Sequence, residues 1–333
     1  MKIRLFLLFI SIFVFSGCQK PVAKYIYNKG IIHGAPYLIV YENPEGKDMQ
    51  AEIDTLLKNY NMIFSVYEKE SVISKVNNNE DVTLASEFIA CFNKAMEISQ
   101  ISDGAFDITC GPMVNAWGFG PEDKKKMTQE KVDSLKILTG YHKVKIENGK
   151  VIKENLNMKL DMNALCDGYF CDLICEFLQQ KGCKNFMTEI GGEVKAQGKN
   201  EKGNIWTIGI NKPVDENVFV NNEIQAKVHL ENKALATSGN YRNFYVEDGK
   251  KYAHTIDPKT GYPVQHSLLS ATVITQDGMT ADGFATTFMV MGLEKSIELS
   301  KQMPELEVYF IYADEKGNNK IYMSENFKQR LVE

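Results

Sequence analysis

Residues 161–198 read DMNALCDGYFCDLICEFLQQKGCKNFMTEIGGEVKAQG, and their punctuation decides the fold class. The opening Asp161-Met162-Asn163 joins a strand end to a helix start, with Asn163 placed to act as N-cap. The spacing predicts a helix over 164–181, stopped at Gly182. Short strands follow near 184–198, parted by Gly191-Gly192, a pair that marks a bulge or a close backbone approach. Short strands that follow one another after a helix, without regular strand–helix alternation, favour α+β over a doubly wound sheet.

The rest of the chain agrees. Residues 30–43 alternate as a first strand, and 48–63 and 84–100 carry apolar residues at helical spacing. A further strand is expected at 205–210, a variable connection at 215–230, and strand-like segments from there to 275. Helices are expected at 280–291, ending at Gly292, and at 293–302, before closing strands around 306–323.

The 333 residues are 44% hydrophobic and 24% charged, an ordinary globular composition that excludes a disordered or low-complexity chain. A net charge of −5 argues against a general nucleic-acid binder. At the start, Lys2 and Arg4 precede an apolar run from Leu5 to Phe15, and then Ser16-Gly17-Cys18. The run is too short to span a membrane and reads as a signal-peptide core. Small residues before a cysteine resemble a bacterial lipobox. The expected organisation is therefore a signal peptide at 1–17, lipidated Cys18, a tether over 18–29 and one domain over 30–325. It predicts a lipid-anchored protein on the exported side of a membrane. The remaining cysteines, Cys91, Cys110, Cys166, Cys171, Cys175 and Cys183, match no common zinc or iron–sulfur spacing. An exported protein could pair them in about 15 ways that sequence does not choose between. Cys171 and Cys175, one helical turn apart among apolar residues, favour buried thiols acting as small hydrophobes.

Several short segments could carry chemistry. Ser102 to Pro112 holds Asp103 and Asp107 in a Gly- and Pro-bearing loop suited to binding an anion or fixing a carboxylate. Asp161 to Tyr169 sits at a helix N-terminus, which favours negative groups. Glu189-Ile190-Gly191-Gly192-Glu193 places paired glycines between strand segments, and Ala236-Thr237-Ser238-Gly239-Asn240-Tyr241-Arg242 reads as a small polar turn with an Arg. His254 precedes an Asp257-Pro258-x-x-Gly261 turn and so sits at a strand end. Asp282 and Thr286 are one helical turn apart and offer hard oxygen ligands suited to Mg2+. Taken singly, each segment also reads as ordinary turn or cap chemistry.

Taken together and in order, they resemble the ApbE family of FAD:protein FMN transferases. The likeness runs from about Gly30 to about Tyr322. Its motifs are Phe64-Ser65-x-Tyr67 with Ser71, Ile73-Ser74 and Asn77; Asp103 to Thr109 with Gly111-Pro112 and Trp117-Gly118; Gly191-Gly192; Ala236 to Gly239; His254-x-Ile256-Asp257-Pro258-x-Thr260-Gly261; and Ala281-Asp282 with Ala285-Thr286.

The resemblance implies an α+β fold with mixed, largely antiparallel sheets flanked by helices. It implies an Mg2+-dependent enzyme that cleaves the FAD pyrophosphate and attaches FMN to a Thr or Ser hydroxyl of an exported protein, releasing AMP. Rnf-type or sodium-translocating NADH:quinone oxidoreductase subunits are the implied acceptors. Asp282, Thr286 and the Ala164 carbonyl match the family's metal ligands, and His254 its general base. Tyr67, Asp107, Asp167, Glu189 and His254 are the candidate flavin-nucleotide contacts, with Trp117 and Tyr241 as further stacking candidates. A hydrolase that releases FMN and AMP, or a non-catalytic flavin-binding lipoprotein, would share much of this sequence. Two positions depart from the family pattern: Asp167 stands where Lys is frequent, and His33-Gly34-Ala35 replaces a Met-Gly-Thr-like segment. Gly283 stands where a self-acceptor would need a hydroxyl, so no self-flavinylation is expected.

Overall fold

The computed structural model describes residues 24–213, 223–240, 244–247 and 250–332. The signal peptide, Cys18 and Tyr241 lie outside these residues. The helices are α1 (Gln50–Phe64), α2 (Val72–Asn77), α3 (Ser86–Ile101), α4 (Gly111–Ala116), α5 (Gln129–Lys136), α6 (Asn163–Gln180), α7 (Gly278–Met291), α8 (Leu293–Gln302) and α9 (Glu325–Lys328). The strands are β1 (Lys24–Ile32), β2 (Ala35–Asn43), β3 (Val144–Glu147), β4 (Lys150–Lys153), β5 (Phe186–Ile190), β6 (Glu193–Gln197), β7 (Trp206–Asn211), β8 (Ile224–Leu230), β9 (Lys233–Gly239), β10 (Phe244–Glu247), β11 (Lys250–Ala253), β12 (Leu268–Thr275), β13 (Glu307–Ala313) and β14 (Asn319–Met323).

An eight-stranded sheet, ordered β1-β2-β5-β6-β9-β12-β13-β14, forms the centre. Every pairing between these strands is antiparallel. On one face pack α1, α3, α6 and α7 over a core that includes Ile53, Phe88, Phe170, Phe284 and Phe310. On the other face, the β7–β8 hairpin and Phe327 of α9 cover Met187, Val194, Ile274 and Ile311. Central strand β12 is buried along most of its length because both faces are covered.

The structure corrects three details of the sequence reading. Residues 30–43 form not one strand but the end of β1 and all of β2, joined by His33-Gly34 with φ of 40° and 87°. A two-residue turn with both φ positive matches the twist of an antiparallel hairpin. Strand β1 also begins at Lys24, inside the expected tether, because its nine residues pair in continuous register with β2. The expected connection at 215–230 contains β8, which pairs with β7 and buries Val228 and Leu230. Cysteines 91, 166, 171, 175 and 183 are buried free thiols, as expected, and Cys110 is half-buried.

The C-terminal turn is fastened by a buried carboxylate. Glu307 accepts from Arg330 Nη2 at 2.8 Å and from Lys233 Nζ at 2.7 Å, and Arg330 Nε also donates to it. Burial alone would push this carboxyl up, but the bonds from Arg330 and Lys233 outweigh it and hold it below its ordinary value of 4.5. A depressed carboxylate adds stability above its unfolded pKa and loses it as the pH falls through the folded value. Glu307→Gln should therefore flatten the acid limb of the stability profile below pH 4.5, read from urea unfolding midpoints.

Candidate active site

A cavity of about 390 Å³ opens where the α6 N-terminus, the start of β6, the end of β9, the segment after β11 and α7 converge. Ala164, Asp167, His254, Asp282 and Thr286 all line it, and so does Asp107. A second cavity of about 230 Å³ adjoins it and holds Tyr67, Ser65 and His33. Asn163 and Asp167 line both.

Helix α6 is set in place by side chains from earlier in the chain. Asn77 donates to the Leu160 carbonyl at 2.9 Å and accepts from the Leu160 amide at 2.7 Å. Ser71, the N-cap of α2, donates to the Ser65 carbonyl at 2.7 Å. The Ser65–Asn77 motif thus works as a bracket that fixes the approach to α6. Asn163 does not cap this helix. Asp161 does so from outside, accepting from the Asn163 amide at 2.9 Å, and Asn163 is already helical. Burial pushes the Asp161 carboxyl up.

Helices α6 and α7 cross at two glycines. A Cβ on Gly168 would lie 2.1 Å from the Gly278 carbonyl oxygen, and one on Gly278 would lie 2.2 Å from the Gly168 oxygen. This approach lets the Gly168 amide donate to Asp282 Oδ2 at 3.2 Å. The start of α7 is held by Asp172, which accepts from the Gly278 and Met279 amides at 2.8 and 2.9 Å and from Lys195 Nζ at 2.6 Å. Removing Lys195 leaves that buried carboxylate without its cation. Lys195→Met should destabilise the fold by about 2 kcal/mol, because an orphaned buried charge costs more than the pair contributes. A chemical denaturation curve checks this.

Asp282 is buried, with relative exposure of 6%. Burial, then the charges of Glu193 and Asp167, push its carboxyl well above the usual range. No Lys or Arg pairs with it among the described residues. Thr286 lies one turn further along α7, its hydroxyl 3.2 Å from Ser238 Oγ. The donors gathered here are carboxylate, hydroxyl and carbonyl oxygens. They fit a hard divalent cation. Among the described residues no three His, Cys, Asp or Glu side chains close a complete cage, so a cation here would draw on Thr286 and the Ala164 carbonyl beside Asp282.

The other expected residues divide. His254 follows β11 directly, and its ring meets the edge of Phe119 at 6.3 Å between centroids. Asp107 lines the cavity, but its carboxylate is engaged: Oδ1 accepts from the Thr109 amide and hydroxyl at 2.8 and 2.6 Å, and Oδ2 from the Tyr141 amide at 2.8 Å. Tyr67 is exposed at the mouth of the second cavity. Trp117 is a core aromatic, stacked on Tyr252 and donating to the Gly261 carbonyl at 2.9 Å. Gly283 is wedged against Ile98 and Leu165, so a side chain there would meet core rather than substrate.

Glu189 lines neither cavity, whereas Glu193 lines the larger one. Strand parity gives the reason. Glu189 lies opposite Val194, on the face shared with Met187 and β7–β8. Glu193 lies opposite Ile190, on the helical face. Alternation about the Gly191-Gly192 turn, referred to the apolar residues of each face, is the signal that selects Glu193.

Residues 33–310 match the model of the ApbE family. The chain is 35% identical over 331 residues to the FAD:protein FMN transferase of Vibrio cholerae, spanning 96% of this chain and 97% of that one. It is 34% identical over 294 residues to the FAD:protein FMN transferase of Escherichia coli strain K12, spanning 86% and 82%. The solved structure of flavin transferase ApbE from Vibrio cholerae aligns with a TM-score of 0.83 at 33% identity, over 93% of this chain and 100% of that one. The apbe protein of Thermotoga maritima aligns at 0.81 with 28% identity, over 93% and 100%. On sequence and on fold alike, the chain belongs to the ApbE family.

Proposed function

We propose that this protein is an FAD:protein FMN transferase, moving the FMN half of FAD to a Thr or Ser hydroxyl of a target protein and releasing AMP. The observation that carries the reading is the convergence of His254, Asp282 and Thr286 on one cavity, in a chain similar over nearly its whole length to a relative of that name.

The residues suit the reaction. Attack on a pyrophosphate needs a deprotonated hydroxyl and relief of charge repulsion. The His254 imidazole takes the acceptor's proton as its oxygen bonds to the FMN phosphorus, and the bond to the AMP phosphate breaks. An Mg2+ ion held by Asp282, Thr286 and the Ala164 carbonyl would neutralise charge on the phosphates and assist departure of AMP. Tyr67 offers a ring face at the second cavity for a planar base. Asp107 ties the cavity-lining turn at Ile108–Cys110 to Tyr141 through its bonds to the Thr109 and Tyr141 amides.

We further propose that Cys18 is lipidated and places the domain on the exported side of a membrane, near acceptors of the Rnf or sodium-translocating quinone-oxidoreductase kind. The short apolar run before Ser16-Gly17-Cys18 supports this. Cys18→Ser should release the protein from the membrane fraction.

The direct test incubates the protein with FAD, Mg2+ and an acceptor domain carrying a Ser/Thr acceptor motif, and reads the acceptor's intact mass. A gain of one FMN, lost with EDTA, is expected. AMP release without mass gain would identify a hydrolase instead. His254→Ala should slow transfer by about 10²–10⁴-fold while FAD binding changes far less, read by fluorescence titration.

A further inference from the structure

His33 and Asp167 form one structural feature. His33 and Asp167 lie 134 residues apart, yet His33 Nε2 sits 2.7 Å from Asp167 Oδ1. Three observations make this more than an incidental surface contact.

His33 is held in the left-handed region, at φ 40°. With Asn and Asp, His is among the side chains that this region admits more readily than others. The ring makes two contacts: the Asp167 carboxylate, and Phe170 at 5.6 Å between centroids. The turn and these contacts together fix the ring at the cavity wall.

Asp167 is also confined from its other side. A Cβ on Gly191 would lie 2.3 Å from Asp167 Oδ2, so this oxygen rests on the bare glycine backbone. Its carboxylate is therefore fixed by His33 at one oxygen and by Gly191 at the other.

Asp167 is, finally, part of the wall shared by the two cavities. The larger one already carries Asp107, Asp161, Glu193 and Asp282. An anionic dinucleotide crossing that wall would be repelled by a further carboxylate that was free to swing toward it.

We propose that His33 is a positioning residue for the pyrophosphate-bearing substrate: its hydrogen-bond contact with Asp167 holds that carboxylate against Gly191, so that the dinucleotide can lie across the shared wall. This rests on the reading of FAD as substrate. His33 touches Asp167 rather than any reacting atom, so its effect falls on substrate affinity.

The test is a double-mutant cycle in the full-length protein, with KM for FAD and kcat for FMN transfer as readouts. His33→Asn suits the turn and removes the pairing ring. It should raise KM about tenfold, with a smaller change in kcat, as expected when a residue that shapes the binding wall without touching a reacting atom is lost. In an Asp167→Asn background the same substitution should change KM by less than about twofold, because the two effects share one contact. His33→Gly, which the turn also accepts, should repeat the result. An unchanged KM in both His33 variants, or an equal KM change in both backgrounds, would overturn the proposal. A wild-type protein without FMN transfer would instead overturn the functional reading on which it rests.

Discussion

Asp282→Asn should abolish FMN transfer, lowering the rate by at least about 10²–10³-fold, and should at the same time stabilise the fold. Both expectations follow from one fact. The Asp282 carboxylate is buried, is pushed up by burial and by the charges of Glu193 and Asp167, and has no cationic side chain beside it among the described residues. Such a group is unfavourable for folding and is retained for what it does. Asn keeps an oxygen for the Gly168 amide and discards the charge. The unfolding free energy should rise by about 1–2 kcal/mol, as is usual when a site residue is traded for stability. The melt belongs in EDTA, so that bound metal does not add to wild-type stability by mass action. An Asn variant that kept its transfer rate would remove Asp282 from the mechanism. One that was inactive and also less stable would mark it as a structural residue.

Gly168→Ala should be the most damaging conservative change outside the reacting groups. Its new methyl would fall 2.1 Å from the Gly278 oxygen and 2.8 Å from Asp282 Cβ. Backbone cannot swing aside as a side-chain tip can, so α6 and α7 must separate. A cost of about 3 kcal/mol or more is expected, the upper end of overpacking effects. Because the helices carry Ala164 and Asp282 respectively, separation also pulls apart the residues proposed to hold the metal. Gly278→Ala should behave alike, since each glycine meets the other's carbonyl. Circular dichroism melts and transfer assays on both variants check this. A variant with a wild-type melting point would show that the crossing has slack.

Much of the architecture was legible in the sequence, and the residues show why. Helices α1, α3, α6 and α7 carry apolar residues at helical spacing, and Gly292, at φ 75°, ends α7 as expected. The six separated motifs pointed to the family, and His254, Asp282 and Thr286 do meet at one cavity. What escaped was pairing over distance. Residues 24–29 carry only a three-residue strand signal, Tyr25-Ile26-Tyr27, and their continuous register against β2 makes them β1. Strand β8 borrows its stability from β7 in the same way. Choosing between Glu189 and Glu193 required knowing which sheet face each occupied. The His33–Asp167 contact required the whole order β1-β2-β5-β6 and the placement of α6 above it. Local periodicity carries none of that information.

The hydrogen bond from the Gly168 amide to Asp282 closes a loop of 114 residues. No hairpin or single helix can form it, because its partners sit on α6 and α7, whose backbones meet at Gly168 and Gly278. Its amide proton is therefore a clock for the entire domain. In deuterated solvent it should exchange with the slowest class of amides, at the free energy of global unfolding. During refolding its protection should appear together with enzymatic activity, after the β1–β2 and β13–β14 hairpins, whose short closures are fast. Partly folded forms of this protein would then be catalytically silent, because the contact that completes the site is also among the last the chain can make.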